Sequence, residues 1–429
     1  MPEKVLVLKS GTCSWAKCCF CGYGRMPGNH PTYANLKKDF DSFFKDVKSG
    51  DTIKIFGSGS FLDEKQVPID SRKYFIDKCL EKEIKKLFIE SRPEYVRKEA
   101  LDEFAGLDLT VAIGLEAADD AVLDKINKGF HVRDYEEAAN VIHSSHAKIR
   151  TYLLVNPPYV KDIRKSIEGS VDYALKHSDS VVLINTLPHG NTPVFKMWLR
   201  GEWNYLSREE FYAVTDKWKN DPRIDLDVET FRFLPKFPQE CREQLIGVGE
   251  ENLTHPHYEV WQDYIQRWYK PPEEKDILLF LPCSYAKPYS HSQTHQGIIE
   301  ALRKTGNYQR IHQAMLSNAG VVPREFEDMY PFNAYDWDEK LETEEIKKRY
   351  IEVTEKRIKK YLDAHGKGYE KVLCFLKYSS ESYQALEKAC AGLGTPCRNL
   401  LSRETYEKIK NDSRPLQSEA ALADLLNNL

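Results

Sequence analysis

Apolar positions recur along the first half of this chain as short runs: Val5-Leu6-Val7-Leu8, Ile53-Lys54-Ile55-Phe56, Leu87-Phe88-Ile89-Glu90, Val111-Ala112-Ile113-Gly114, Thr151-Tyr152-Leu153-Leu154-Val155 and Val181-Val182-Leu183-Ile184. Runs of this length read as buried strands. Between them lie stretches of helical spacing, such as 71–86 and 134–145. Strand alternating with helix predicts a parallel sheet, and six such strands predict an α/β fold, a partial (β/α)6 barrel with reacting groups at the carboxyl ends of its strands.

Beyond Phe233 that rhythm stops. Residues 236–275 hold Pro238, Pro256, Pro271 and Pro272 among the aromatics Tyr258, Trp261, Tyr264, Trp268 and Tyr269. They read as a connector with one short helix packed by its aromatic face, a base-stacking platform being the lesser reading. A fresh apolar run, Ile277-Leu278-Leu279-Phe280-Leu281, opens a smaller α/β domain, with further strands expected at 311–316 and 371–375 and helices at 344–364 and 382–391. The predicted organisation is 1–235, 236–275 and 276–429.

A length of 429 residues suits two or three domains. A net charge of −4 denies the chain a general attraction for nucleic acid, so any such contact must be local. The basic helical stretch with Lys347, Lys348, Arg349, Lys356, Arg357, Lys359 and Lys360 reads first as a solvated face. No apolar run is long enough to span a membrane, and the start, Met1-Pro2-Glu3-Lys4, lacks the apolar region of a signal peptide; a cytosolic protein without membrane contact is expected.

The cysteines change the picture most. Four of the ten, Cys13, Cys18, Cys19 and Cys21, fall within nine residues just after the first strand. Three thiolates on one loop can hold three irons of a 4Fe-4S cluster and leave the fourth open for S-adenosylmethionine. Cys13, Cys18 and Cys21 are the expected ligands, in a C-x4-C-x2-C pattern; Cys19 replaces Cys18 only on a different loop path. A structural zinc site is the competing reading, although zinc usually takes two separated ligand pairs and no second CxxC occurs.

Other strand ends carry polar groups. Gly57-Ser58-Gly59-Ser60 follows the second strand, where glycines let backbone approach a ligand. Glu90-Ser91-Arg92 ends the third, Gly114-Leu115-Glu116 the fourth and Asn156-Pro157-Pro158 the fifth. Asn127-Lys128-Gly129 either brings a cation to a carboxylate or ends a helix at Gly129. In order, the motifs Cys13-Ser14-Trp15 to Cys21-Gly22-Tyr23, Phe56 to Asp63, Glu90 to Glu94, Gly114-Leu115-Glu116, Asn127-Lys128-Gly129-Phe130 and Tyr152-Leu153-Leu154 resemble the radical SAM enzyme of archaeosine biosynthesis. The resemblance implies that Cys13, Cys18 and Cys21 bind the cluster, that Gly57, Ser58, Gly59 and Ser60 meet the methionine end of S-adenosylmethionine, and that Glu90, Arg92 and Glu116 lie close to cofactor or substrate.

In the second domain the strand at 277–281 runs into Pro282-Cys283-Ser284-Tyr285-Ala286-Lys287-Pro288-Tyr289-Ser290-His291-Ser292-Gln293-Thr294-His295. On residue types alone this is a polar loop with a buried cysteine, or a covalent site whose cysteine a neighbouring cation activates. Cys283, Lys287, Ser292 and His295 match PC-x3-KPY-x2-S-x2-H, a pattern similar to archaeosine synthase, which adds lysine to 7-cyano-7-deazaguanine in tRNA. Residues 317–325 also look like that family's core domain.

Together the resemblances imply two consecutive steps: lysine adds to the nitrile, then radical cleavage removes the lysine side chain and leaves a formamidine. Thiolate attack by Cys283, with His295 or Lys287 moving protons, is the expected first step. Expected partners are tRNA, lysine, and a separate tRNA-guanine transglycosylase or archaeosine synthase subunit. The target base in the D-arm would have to be extruded. A radical SAM enzyme on another substrate with a non-catalytic RNA-binding domain, and a zinc protein that binds RNA without redox chemistry, are the alternatives.

Overall fold

The computed structural model describes residues 3–25, 28, 30–229 and 231–429. Met1 and Pro2, part of the opening read for a signal peptide, lie outside them. The chain forms two compact units, Met1–Phe233 and Leu234–Leu429.

The first unit is a seven-stranded sheet in the order of the sequence: β1 (Glu3–Val7), β2 (Thr52–Phe56), β3 (Lys86–Ser91), β4 (Asp108–Glu116), β5 (Lys148–Val155), β6 (Ser180–Asn185) and β7 (Ile224–Asp227). Every neighbouring pair is parallel. Sequential parallel strands joined by right-handed crossovers put all the helices on one face and curl the sheet into a half-barrel with an open concave side.

Side-chain alternation explains which face is which. Leu87 and Ile89, Val111, Ile113 and Leu115, Ile149 and Leu153, and Val181 and Leu183 are fully buried against the helices. The residues between them, Phe88, Glu90, Gly114, Arg150, Tyr152 and Ile184, stay half-buried, as expected of the opposite, open face. The sheet holds seven strands rather than the expected six, because β7 reads Ile-Asp-Leu-Asp and its acidic alternation hides it from an apolar scan.

The second unit centres on a five-stranded sheet. Its strands are β9 (Ile277–Pro282), β10 (Ile311–Ser317), β11 (Gly320–Pro323), β13 (Lys371–Cys374) and β14 (Cys397–Asn399), in the order β11-β10-β9-β13-β14; only β10 and β11 are antiparallel. A two-stranded ribbon joins β8 (Leu245–Ile246) to β12 (Tyr335–Asp336).

The stretch 236–275 does not stand apart as a connector. Its helix Pro256–Arg267 is part of the second unit's core, with Trp261 wholly buried and its indole N–H donating to the Tyr330 carbonyl at 3.0 Å. Gln262 grips the β10–β11 hairpin through the Ala319 and Val321 carbonyls and the Val321 amide. Gly320 makes that approach possible: a Cβ there would lie 2.3 Å from the Gln262 amide carbon. Aromatics at helical spacing are core here, and the stacking platform is not realised by Trp261. Among the described residues, no helix is long and apolar enough to cross a membrane.

Candidate functional site

The cysteine loop leaves the carboxyl end of β1 and is moulded by the segment that follows β4. The Cys19 amide donates to the Ile126 carbonyl at 2.9 Å, and the Trp15 indole N–H donates to the Asn127 carbonyl at 2.8 Å. Arg92 lies 5.5 Å from the Trp15 ring and 5.3 Å from that of Phe130, and donates to the Lys128 carbonyl at 3.1 Å. Gly129, at φ +78°, leaves space that a Cβ would take from Trp15, at 2.3 Å from its ring. Gly129→Ala is therefore expected to push the loop off its seat and to cost at least about 1–2 kcal/mol from backbone strain alone. Thermal unfolding and iron retention both measure the loss.

The four cysteines of the loop separate by environment. Cys19 belongs to the hydrophobic core at 6% exposure, held through its own N–H and carbonyl, and burial pushes its thiol up to about 12. Cys18, also buried at 8% exposure, and the half-buried Cys21 feel each other's charge and are not part of that apolar cluster. Burial raises both thiols, while Lys128 pulls both down and the Tyr23 and Gly24 amides donate to the Cys21 sulfur. Cys13 abuts Gly59, whose Cβ would stand 3.0 Å from the Cys13 Cα.

These observations test the fit to a cluster. Amide donors on one sulfur and a buried cation beside two match thiolate ligands of an iron-sulfur centre. No three His, Cys, Asp or Glu side chains among the described residues converge as they would on a single metal ion.

Beside the loop, a small cavity is lined by Ser10, Gly57, Ser58, Gly59, Ser60 and Glu90 among others. The space before Gly57 is open, whereas Gly59 is hemmed in by Gln66, which accepts the Ser60 amide at 2.7 Å. Ser60 also shares a hydrogen bond of 2.8 Å with Ser91. Glu90 accepts the Gly57 amide at 3.2 Å and a hydrogen bond from Tyr152; desolvation nevertheless raises its carboxyl to about 7. A carboxyl poised at neutrality on a cavity wall can bind a cation or carry a proton. Glu116 pairs with Lys128 at 2.6 Å, so the Asn-Lys-Gly motif does deliver a cation to a strand-end carboxylate. Asn156 spends its side chain on the Asn204 carbonyl at 2.8 Å and is a structural lip residue.

In the second unit, neighbouring β9 and β13 send their exits in opposite directions, to β10 and to β14. Parallel sheets open a ligand crevice at such a switch point. Cys283 stands one residue past β9. Lys287 Nζ lies 4.0 Å from the Tyr335 ring centre and donates to the Tyr285 carbonyl at 3.2 Å. Burial pushes the Cys283 thiol up to about 11, with Glu339 adding to this and Lys287 and Lys377 opposing it. Burial also lowers Lys287, against Cys283 and Asp336. Cys283 interacts electrostatically with three tyrosines, Tyr289, Tyr335 and Tyr350, and Tyr289 and Tyr335 share a hydrogen bond of 2.9 Å.

Two expected residues of that site serve the fold. Ser292 caps the helix Gln293–Arg303, its Oγ accepting the His295 amide at 3.2 Å. His295 is wholly buried; Nε2 donates to the Pro282 carbonyl and Nδ1 accepts from Arg324, each at 2.9 Å. Both nitrogens are committed to partners within the fold, and burial followed by Arg324 lowers it to about 3, so it is neutral near pH 7. Below pH 6.5 the unfolded chain binds a proton at His295 that the folded chain refuses until about pH 3. Stability therefore falls on acidification through that window, by up to about 1.4 kcal/mol per pH unit, and His295→Gln is expected to flatten this slope in denaturant titrations.

Sequence reasoning gave no role to Trp15, Gln66, Tyr152, Tyr335 or Asp336. Trp15 and Tyr152 carried a signal, each standing inside a motif of the resemblance.

Comparison with known proteins agrees with the two-part architecture. Residues 7–168 match the radical SAM superfamily model, and residues 259–411 match a domain of unknown function, DUF5591. The archaeosine synthase subunit beta of Methanosarcina acetivorans is 29% identical over 46% of this chain, which spans 61% of that relative's length. The archaeosine synthase subunit alpha of Thermoplasma acidophilum is 43% identical over 20% of this chain and 16% of its own. A solved queuine lyase from Clostridium spiroforme, bound to SAM and queuine, covers 52% of this chain and 90% of its own at 24% identity, with a TM-score of 0.41.

Proposed function

We propose, for a chain that carries a radical SAM domain ahead of a DUF5591 domain, that it modifies tRNA in archaeosine biosynthesis. Its amino-terminal unit converts the lysine adduct of 7-cyano-7-deazaguanine to archaeosine, and its carboxy-terminal unit adds the lysine. The observation that carries this reading is the meeting in one chain of similarity to relatives named as the beta and as the alpha subunit of archaeosine synthase.

In the first unit Cys13, Cys18 and Cys21 hold the 4Fe-4S cluster, and the bound cluster with S-adenosylmethionine supplies a hydrogen-abstracting radical. The chain's own part is placement. Gly57 offers open backbone beside the cavity, and the wall from Ser58 to Ser60 is stiffened by Gln66 and Ser91. Glu90 faces the same cavity and is suited to the ammonium group of a lysine moiety.

In the second unit, the Cys283 thiol passes its proton to Lys287 as sulfur bonds to the nitrile carbon; the nitrile nitrogen takes a proton to give a thioimidate. The lysine amine then bonds to the same carbon, the carbon–sulfur bond breaks, and an amidine is left with the thiol restored. Atoms balance without a further reactant. Ser292 and His295 build the loop that presents Cys283 and Lys287, which is why the motif contains them.

The test is anaerobic incubation of the full chain with tRNA bearing 7-cyano-7-deazaguanine, lysine, S-adenosylmethionine and a reductant, followed by nucleoside mass analysis. Archaeosine is the expected product, and the lysine adduct alone is expected without the reductant. An unchanged nitrile nucleoside under both conditions would refute the proposal.

A further inference from the structure

We infer that the Glu116–Lys128 pair sets how readily the cluster on Cys13, Cys18 and Cys21 accepts an electron. The inference rests on the cluster reading of those cysteines and concerns a property that reading leaves open.

The pair is unusual for its burial and for what the backbone gives up to seat it. Both side chains are 9% exposed, and they meet at 2.6 Å. Gly114 sits beneath them: a Cβ there would lie 2.4 Å from Glu116 Oε1 and 3.1 Å from Lys128 Nζ. Glycine inside a strand costs about 0.5–1 kcal/mol. Glu116 itself adopts φ +68°, at an irregularity in the β4–β5 register. The Lys128 ammonium lies 5.8 Å from the ring of Phe20 and 5.3 Å from that of Phe130. Phe20 immediately precedes Cys21, and the Cys19 amide is tied to the Ile126 carbonyl, so the loop and the pair form one packed body.

Phe20, against which the Lys128 ammonium stands, lies between Cys19 and Cys21, so both charges of the pair sit beside the ligand loop. A cubane bound by three thiolates is an anion, and reduction adds a further negative charge. An isolated buried cation beside it would favour the reduced form, and the carboxylate at 2.6 Å cancels most of that field. The pair is thus a balanced setting that either partner alone would disturb.

The experiment is an EPR-monitored redox titration of the anaerobically reconstituted full chain, with iron content measured for each variant. Glu116→Gln keeps the shape and leaves Lys128 uncompensated, so the midpoint potential is expected to rise. Glu116→Gln combined with Lys128→Met removes both charges, and the potential is expected to return to the native value. An unmoved or lowered potential in Glu116→Gln, or a double variant that stays displaced, overturns the inference. Loss of iron by both variants also overturns it, since the pair would then be a prop for the loop. A native chain that binds no iron fails the cluster reading itself; a native cluster with unmoved potentials fails only the role of the pair.

Discussion

Cys18→Ala is expected to strip the protein of its cluster, while Cys19→Ala, one residue away, is expected to leave it. Both side chains are buried, at 8% and 6% exposure, and they differ in what surrounds them: Cys18 is coupled to Lys128 and Cys21, whereas Cys19 packs among apolar side chains. Removing one of three ligand sulfurs leaves a cube that two thiolates cannot retain. Iron per chain after anaerobic reconstitution should fall to background, and methionine release from S-adenosylmethionine should drop by more than the roughly 100-fold that changes outside the ligand set already produce. Cys13→Ala and Cys21→Ala should behave in the same way. Cys19→Ala removes a buried sulfur without touching the site, so it should keep its iron and lose only about 1 kcal/mol of stability. A chain that loses its iron with Cys19 and keeps it without Cys18 would require another loop path.

The second large effect is expected in the other unit. Cys283→Ala should lower lysine addition by at least about 10³-fold, the scale on which loss of a nucleophile is felt. His295→Gln should retain most of it, because His295 is committed to Pro282 and Arg324. The pH profile separates the residues further. With the Cys283 thiol pushed up to about 11, little thiolate is present near neutrality, and the rate should climb about tenfold per pH unit as the pH rises toward that value. Lys287 lies in the electrostatic field of Cys283, and burial lowers its own proton affinity, which suits it to receive the thiol proton. Lys287→Met should therefore slow the reaction most at low pH. Single-turnover transfer of labelled lysine to nitrile-bearing tRNA measures all three variants.

What could be read early was whatever is written in consecutive residues. The apolar runs of β2 to β6 announce themselves because a strand packed under helices must be apolar on the helix face; the first run also forms a strand, but at the sheet edge, with Val5 and Val7 exposed rather than buried as its composition suggested. β7 did not announce itself, since Asp225 and Asp227 leave two apolar residues in four. The cysteine loop stood out by density alone. In the connector, spacing marked a packed helix, but prolines on both sides suggested a linker; the bond of Trp261 to Tyr330 and the grip of Gln262 on the β10–β11 hairpin were invisible.

The seats of Ser292 and His295 show the limit in the other direction. A motif states which residue types accompany one another, and a helix cap and a buried imidazole can accompany a nucleophile as steadily as a catalytic base does. Only partners at 2.9 Å on both ring nitrogens distinguish the two.

Chain order and local chemistry by themselves announced the strand–helix rhythm of a parallel sheet, the second α/β unit and the density of cysteines after β1, because periodicity and spacing are properties of neighbouring residues. Which of two adjacent buried cysteines packs among apolar side chains, which carboxylate finds Lys128 and which histidine is spoken for were decided by tertiary structure alone. Those outcomes depend on burial and on contacts between residues 12 to 112 positions apart, and no local pattern encodes the field or the space that a distant strand provides.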